Sequence, residues 1–580
     1  MAESRSPEAA RLSDLLWLGL AVLVLIGTGV GLRAPWPADE PRFALIAREM
    51  VHTGEWLFPR IGGDLYPDKP PVYFWLLSVG YFLTGSLRAS LLIPAFVGAC
   101  TIAGLVYDLG RRIAGRAAGL AAAVTLVSSV QFLMTMRGAQ IDPVLCAFTT
   151  LSLYGLLRHL LFGPAWGWYF VGGVFAGVGV VTKGVGFLPL LVLIPYAVLG
   201  ARGFNVWRFS APAADSARPS RWRWGLVAVG FLLGVSVWLA PMLIAVATRG
   251  DPALVAYRNE ILFQQTVHRY AAAWHHVEPW YYFIVNVIPG LWLPFSLLLF
   301  WLVPRWAAAW REKDARVWLP LAWALLALLF FSLSTGKRGI YIFPALPALA
   351  IAASPYLRDL FAHRRVRGAS VVLGAIVVLL FVGVLIADAS GNTKLRAQVA
   401  DLGLASLAPI AAIAGLGALA WLLALWKKPI LAWPAVLGAV ALVWSYWITP
   451  SIDGQRSARD FIRKAQALVP AGTDLGLLAY KEQFLLYLNR PIVNFGHARW
   501  REGSQEAFDA STWLNEAPGR VLLIPESAVE PCFVSTSKQP VGESSGDRWV
   551  LVQGEAERRC VEKGDRSRAI RYRPPVLDQG

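Results

Sequence analysis

Residues 36–76 read WPADEPRFALIAREMVHTGEWLFPRIGGDLYPDKPPVYFWL, directly behind the first long apolar run of the chain, residues 14–32. Asp39, Glu40 and Pro41 precede Arg42 to Thr53, where Phe43, Ile46, Ala47, Met50 and Val51 recur at helical spacing and Gly54 ends the run. This pattern predicts a short amphipathic helix lying in a membrane interface, with a proline tolerated in its first turn. Either acidic residue could serve as the N-cap. A cap needs one acidic side chain, however, and has no use for Arg42 beside it. Farther on, Tyr66, Asp68 and Lys69 stand ahead of two prolines that open another apolar run. A lysine there can simply snorkel to the interface, but the whole stretch gathers carboxylates and cations in one loop.

The surrounding chain explains why such a loop exists. Of 580 residues, 56% are hydrophobic and 16% charged, against about 25% charged in soluble domains. Apolar runs long enough to span a bilayer recur about thirteen times: 14–32, 87–107, 117–136, 141–157, 165–182, 186–200, 225–247, 280–303, 317–333, 340–357, 369–387, 404–426 and 430–448. The first is longer than a signal-peptide core and lacks a clean cleavage site, so a retained helix is expected. Arginines and lysines crowd alternate loops, such as Arg111, Arg112 and Arg116, then Arg305 and Arg311, then Arg364, Arg365 and Arg367. The positive-inside rule puts those loops and the N-terminus in the cytoplasm and the C-terminus outside. The net charge of +17 is therefore topological, and nucleic acid is not an expected partner.

The loops left outside are 33–86, 137–140, 183–185, 248–279, 334–339 and 388–403, followed by the tail. They hold nearly every residue of chemical interest. An ion or solute pathway would instead place ionisable groups at mid-membrane depth. The expected organisation is a transmembrane domain over 1–448, with 33–86 as its first outer loop, and a small α/β domain over 449–580. In that tail SARDFIRKAQALV reads as a helix, and DLGLLAY, RVLLIPE and WVLVQ as strands. Cys532 and Cys560 fall in it and can pair if it faces an oxidising compartment.

Further candidates are spread along the outer loops. MRGAQIDPVLCAF places Arg137 and Asp142 at the end of a hairpin, where Asp142 is equally suited to cap a helix. Lys183 lies in VVTKGVGF, which lacks the phosphate-loop spacing. FQQTVHRYAAAWHHVEPWYYF carries His268, Arg269, His275 and His276; the histidines match no standard zinc spacing, so no metal is required, although a divalent metal stays open. FFSLSTGKRGIYIFPALPALA carries Lys337, Arg338 and Tyr341. No dinucleotide or Walker fingerprint is present, which removes support for a nucleotide-sugar donor on a soluble domain.

Taken together, DEPRFALIAREM, GEWLFPRIGG, YPDKPPVYFWL and the later segments resemble the bacterial aminoarabinose transferase family. These lipid-to-lipid glycosyltransferases are relatives of the protein O-mannosyltransferases, with the multi-span GT-C fold. The resemblance covers most of 14–450 and weakens over the tail. It implies an inverting transfer of a sugar, 4-amino-4-deoxy-L-arabinose, from undecaprenyl phosphate to lipid A at the periplasmic face of the inner membrane. Other sugars, or protein and core-glycan acceptors, remain alternatives, and a carrier flippase without catalysis is a further one. The resemblance implies carboxylate chemistry at Asp39, with Glu40 and Asp142 as further candidates. It implies donor-phosphate or substrate binding by Arg42, Tyr66, Asp68, Lys69, Arg137, Lys183, Arg269, Lys337, Arg338 and Tyr341. Where the family carries Lys-Leu-Pro-Thr-Tyr, this chain has Lys337-Arg-Gly-Ile-Tyr341.

Overall fold

The computed structural model describes residues 7–207, 221–263, 277–497 and 499–575. Helix α1 (Pro7–Val22) runs on through a π-turn at Leu23–Gly27. Then come α2 (Glu40–Thr53), α3 (Val72–Thr84) and the long α4 (Leu87–Ala114). Among the described residues, eight helices are long and apolar enough to cross a bilayer, or up to ten if two bent pairs each make one span. The bends are 64° between Arg116–Val127 and Val130–Met136, and 107° between Phe283–Leu291 and Phe295–Arg311. The expected count of about thirteen spans is therefore not established. Helices do form at Trp166–Lys183 and Ala345–Ala362. The first opens on Trp-Gly-Trp-Tyr and ends in Lys183, and the second contains Ser354, Arg358 and Asp359, which dilutes the apolar length each offers to lipid.

With lipid outside and few polar groups inside, helix association rests on close van der Waals packing. The helices Trp166–Lys183 and Leu226–Arg249 meet through Gly173 and Gly177 on one and Gly230 and Gly234 on the other. A Cβ at Gly234 would lie 2.1 Å from the Val174 carbonyl oxygen, and one at Gly177 would lie 2.2 Å from that of Phe231. Glycine at four-residue spacing on both partners is what lets the two backbones touch.

The tail folds as a six-stranded sheet in the order β6-β7-β5-β3-β4-β8. Its strands are β3 (Leu475–Leu477), β4 (Ile492–Asn494), β5 (Val521–Pro525), β6 (Ser537–Ser544), β7 (Asp547–Gln553) and β8 (Ile570–Tyr572). β3 pairs parallel with β4 and with β5, and the outer pairings are antiparallel. The expected helix appears as Arg459–Ala467. β4, β6 and β8 had no clear signal in the sequence. Cys532 and Cys560 form a disulfide with their Cα atoms 5.7 Å apart.

One buried apolar cluster runs from Phe43, Ile46 and Met50 of α2 through Tyr73 of α3 to Phe484, Leu485 and Trp549 of the tail. The anticipated apolar stripe of α2 is thus real, but the helix does not lie with its polar side in water. Glu40, Arg48 and Glu49 are buried as well: the tail closes over Arg48 and Glu49, and Arg33 and the 137–140 hairpin cover Glu40. A hairpin of β1 (Arg60–Ile61) and β2 (Asp64–Leu65) follows α2 and sits at the same junction: the Gly62 carbonyl accepts from Asn494 at 3.1 Å.

Candidate active site

The acidic pair at the start of α2 divides into two different environments. Glu40 is 8% exposed and forms a two-pronged ion pair with Arg33. Its oxygens also accept the Trp36 N–H at 3.0 Å and the Ala139 N–H at 2.9 Å. Glu40 therefore ties the loop before α2 to the hairpin at 137–140. Asp453 ties the same loop to the helix Thr449–Arg456, accepting from the Ala34 N–H at 2.8 Å and the Trp36 indole at 2.9 Å. Asp39 occupies the N-cap position but makes no side-chain capping hydrogen bond. Its carboxylate is about one-third exposed, with the Arg42 guanidinium 3.9 Å away.

Arg42 reaches in the opposite direction to the tail. Its Nε donates to Glu482 Oε1 at 2.8 Å, and His497 Nε2 lies 2.9 Å from the same oxygen. Burial alone would push the Glu482 carboxyl up; the hydrogen bond to His497 and the charge of Arg42 outweigh it and pull it down to about 2. Burial would likewise lower the Arg42 pKa, but Glu482 and Tyr66 hold it above its ordinary value. Tyr66 is 4% exposed, and burial together with Asp68 pushes its hydroxyl up while Arg42 pulls against them. Lys69 Nζ donates to the Asp68 carbonyl at 3.0 Å. Asp39, Arg42, Tyr66, Asp68 and Lys69 thus share one corner of the 33–86 loop.

A second group approaches from the transmembrane helices. Asp142, in the first turn of Ile141–Phe162, does not cap that helix; it pairs with Lys183 Nζ at 2.5 Å. Lys183 closes the helix Trp166–Lys183 and also lies 5.4 Å from the centre of the Tyr341 ring. The Ala139 N–H accepted by Glu40 lies three residues before Asp142, so the 137–140 hairpin joins the start of α2 to the start of the helix that carries Asp142. The topology agrees, since these residues all fall at one end of the helices. Asp14, Asp108, Arg111, Arg112 and Arg116 form ion pairs at the opposite end.

Three other sequence candidates are engaged differently. Arg137 is a brace: it donates to the Leu25 carbonyl at 2.7 Å, to the Thr28 hydroxyl at 3.2 Å and to the Ser445 hydroxyl. Lys337 is 4% exposed and donates to the carbonyls of Glu278, at 2.7 Å, and Ser334, clamping the segments around 278 and 334–337 together. Arg338 beside it is exposed. Arg269, His268, His275 and His276 lie outside the described residues. Among the described residues no three metal-binding side chains converge. Glu482 and His497 escaped the sequence reading, because nothing in the polar tail distinguishes them from surface residues more than 400 positions away from Arg42.

The fold and its gathered charges define the class: a multi-span membrane protein of the GT-C fold with carboxylates and cations collected at one end of its helices. Within that class the chain shares its fold with two crystal structures of ArnT from Cupriavidus metallidurans. One, bound to undecaprenyl phosphate, superposes with a TM-score of 0.68 at 21% identity, covering 94% of this chain and 98% of that one. The other, in the apo state, gives 0.69 at 22% identity with the same coverage. In sequence the chain is similar to the undecaprenyl phosphate-alpha-4-amino-4-deoxy-L-arabinose arabinosyl transferase of Pseudomonas aeruginosa (strain UCBPP-PA14), 29% identical over 72% of this chain and 73% of the relative. It is also 29% identical to the corresponding transferase 1 of Pseudomonas fluorescens (strain Pf0-1), over 54% of this chain. There the match spans only about half of the relative's own length, 52%. The family described as dolichyl-phosphate-mannose-protein mannosyltransferase matches residues 68–212.

Proposed function

We propose that this protein is an integral-membrane glycosyltransferase that moves a sugar from undecaprenyl phosphate to a lipid A acceptor. The first candidate for the sugar is 4-amino-4-deoxy-L-arabinose. The observation that carries the reading is the Asp39 carboxylate, released from capping, partly exposed and held beside Arg42, with neighbouring Glu40 tied to the hairpin that leads into Asp142 and its partner Lys183. The names of the relatives support the donor, and their fold supports the architecture. The reaction faces the periplasm in this reading, to which the tail disulfide lends support, since disulfides persist in oxidising compartments.

The proposed step is a single displacement with inversion. An acceptor oxygen attacks the anomeric carbon, and the carbon–oxygen bond to the carrier phosphate breaks with its electron pair leaving on the phosphate. For a hydroxyl acceptor, Asp39 takes the proton as general base. For an acceptor phosphate, already ionised, it orients the acceptor and offsets positive charge developing on the sugar. Lys69 and Lys183 at the outer face, with Arg42 behind Asp39, stabilise the departing phosphate where water is scarce. Glu40 and Arg137 hold the loops that position these groups.

The test is transfer by the purified full-length protein, with undecaprenyl phosphate-aminoarabinose and lipid A, followed by mass spectrometry. Wild type should form the adduct, and Asp39→Asn should lose at least a hundredfold in rate while keeping its helical content. Equal rates would reduce Asp39 to a bystander. A second reading, with the same chemistry on another sugar, is favoured by the exposed Arg338, which stands where the aminoarabinose enzymes carry an apolar residue; offering other carrier-linked sugars separates the two.

A further inference from the structure

A cavity of about 850 Å³ lies on a different side of α2 from Asp39, between the outer end of α4 and the tail. Five arginines line it, Arg48, Arg88, Arg459, Arg463 and Arg490, and no carboxylate does. Arg48 is 3% exposed and is held by the main-chain carbonyls of Leu486 at 2.9 Å and Leu485 at 2.7 Å. Arg490 donates to three further carbonyls, those of Val469, Pro470 and Thr473. Neither makes an ion pair within 4.0 Å among the described residues, although the Glu49 carboxylate acts on Arg48 electrostatically. Asp453 is shared by Arg459 at 2.9 Å and Arg88 at 4.0 Å, and Asp460 stands 4.0 Å from Arg463. The wall therefore carries an excess of positive charge. The buried Nε atoms of Arg48 and Arg459 have no hydrogen-bond partner, a costly state for a buried donor. Ser86 and Leu87, at the positive end of α4, complete the wall.

We infer that this cavity binds a phosphate group, and that at the level of the outer end of a transmembrane helix its source is the headgroup of an anionic lipid. Guanidinium groups on opposite walls suit phosphate because each offers a planar pair of donors. The apolar side of the opening, with Leu87 and Val469, suits the start of an acyl chain. Binding here requires no catalysis and none of the residues around Asp39, so it stands or falls separately from the proposed transfer.

The test uses the full-length protein in phosphatidylcholine nanodiscs, titrated with dioctanoyl phosphatidic acid, dioctanoyl phosphatidylcholine and inorganic phosphate, with binding read by native mass spectrometry. Phosphatidic acid should bind at least tenfold more tightly than phosphatidylcholine, with an affinity that falls as salt rises. The double variant Arg88→Ala/Arg463→Ala should lose at least tenfold. These two arginines have only ion pairs of 4.0 Å to lose, and the single variant Arg463→Ala serves if the double variant misfolds. Arg558→Ala, at an exposed position elsewhere in the tail, and Asp39→Asn should bind as wild type does. Phosphate binding as tightly as phosphatidic acid, and weakened by the double variant, would overturn the lipid assignment and leave a soluble anion as the ligand. Affinity unchanged in the arginine variants, or equal for the two lipids, would overturn the proposal.

Discussion

Replacing Glu482 by Gln tests whether the tail is energetically coupled to the loop that carries Asp39. The Glu482 side chain is 13% exposed and bonded to Arg42, and its carboxyl is lowered from 4.5 to about 2. That difference, at about 1.4 kcal/mol per unit, corresponds to about 3 kcal/mol of stabilisation at neutral pH. Because the folded-state pKa is the depressed one, the contribution is full above pH 4.5 and is lost as pH falls toward about 2. At pH 3 about 1 kcal/mol should remain. The assay is hydrogen exchange with mass spectrometry on peptides from α2 and from Glu482–Leu486, comparing wild type with Glu482→Gln at each pH. At pH 7 these segments should exchange roughly a hundredfold faster in the variant, and at pH 3 the difference should shrink to about tenfold. Equal exchange at pH 7, or a deficit of the same size at pH 3, would refute the coupling.

Further outcomes follow from other contacts. Gly234→Val should destabilise the membrane domain by about 3 kcal/mol or more, since even a Cβ there would meet the Val174 carbonyl oxygen at 2.1 Å; a thermal unfolding curve in detergent matching wild type would contradict the close packing. Burial pushes the Glu49 carboxyl up to about 7, against the Gly62 and Gly63 N–H groups and Arg48. Its charged form is therefore the strained one, so the contact between α2 and the β1–β2 hairpin should weaken as pH rises from 5 to 8, read as smaller protection factors of the Gly62 and Gly63 amides relative to their intrinsic exchange at each pH. Replacing Cys532 and Cys560 by Ser should cost the tail about 3 to 4 kcal/mol for a loop of this length, and reductant should lower the wild type's tail melting temperature but not the variant's.

Much of the architecture could be read along the chain because it rests on local periodicity. A helical run of apolar residues long enough for a bilayer needs no distant partner, and the stripe of Phe43, Ile46, Ala47 and Met50 announced α2 in the same way. The strands β5 and β7 were visible as short apolar runs, whereas β8, three residues at the sheet edge, was not. The two bent helix pairs explain why counting apolar runs overstates the certainty of a span number: hydropathy measures composition, and a break of a few residues barely alters it.

The candidate site shows the same division at the level of single residues. The sequence placed Asp39, Glu40 and Arg42 together, and the chain's own connectivity guarantees that much. It could not say that Glu40 is consumed by Arg33 while Asp39 stays uncapped, nor that Asp142 faces Lys183 instead of its own helix end. Those outcomes depend on which donors arrive from elsewhere, and a carboxylate accepts from whatever the fold brings within about 3 Å. Composition and periodicity thus determined by themselves that the chain spans a membrane. Only the tertiary structure decided which charges are struts and which stay available, and that a glutamate of the tail, itself bonded to a histidine there, holds Arg42. Hydrophobic burial follows from residue type and spacing, but an ion pair follows from distance, and distance between positions hundreds of residues apart exists only in the folded chain.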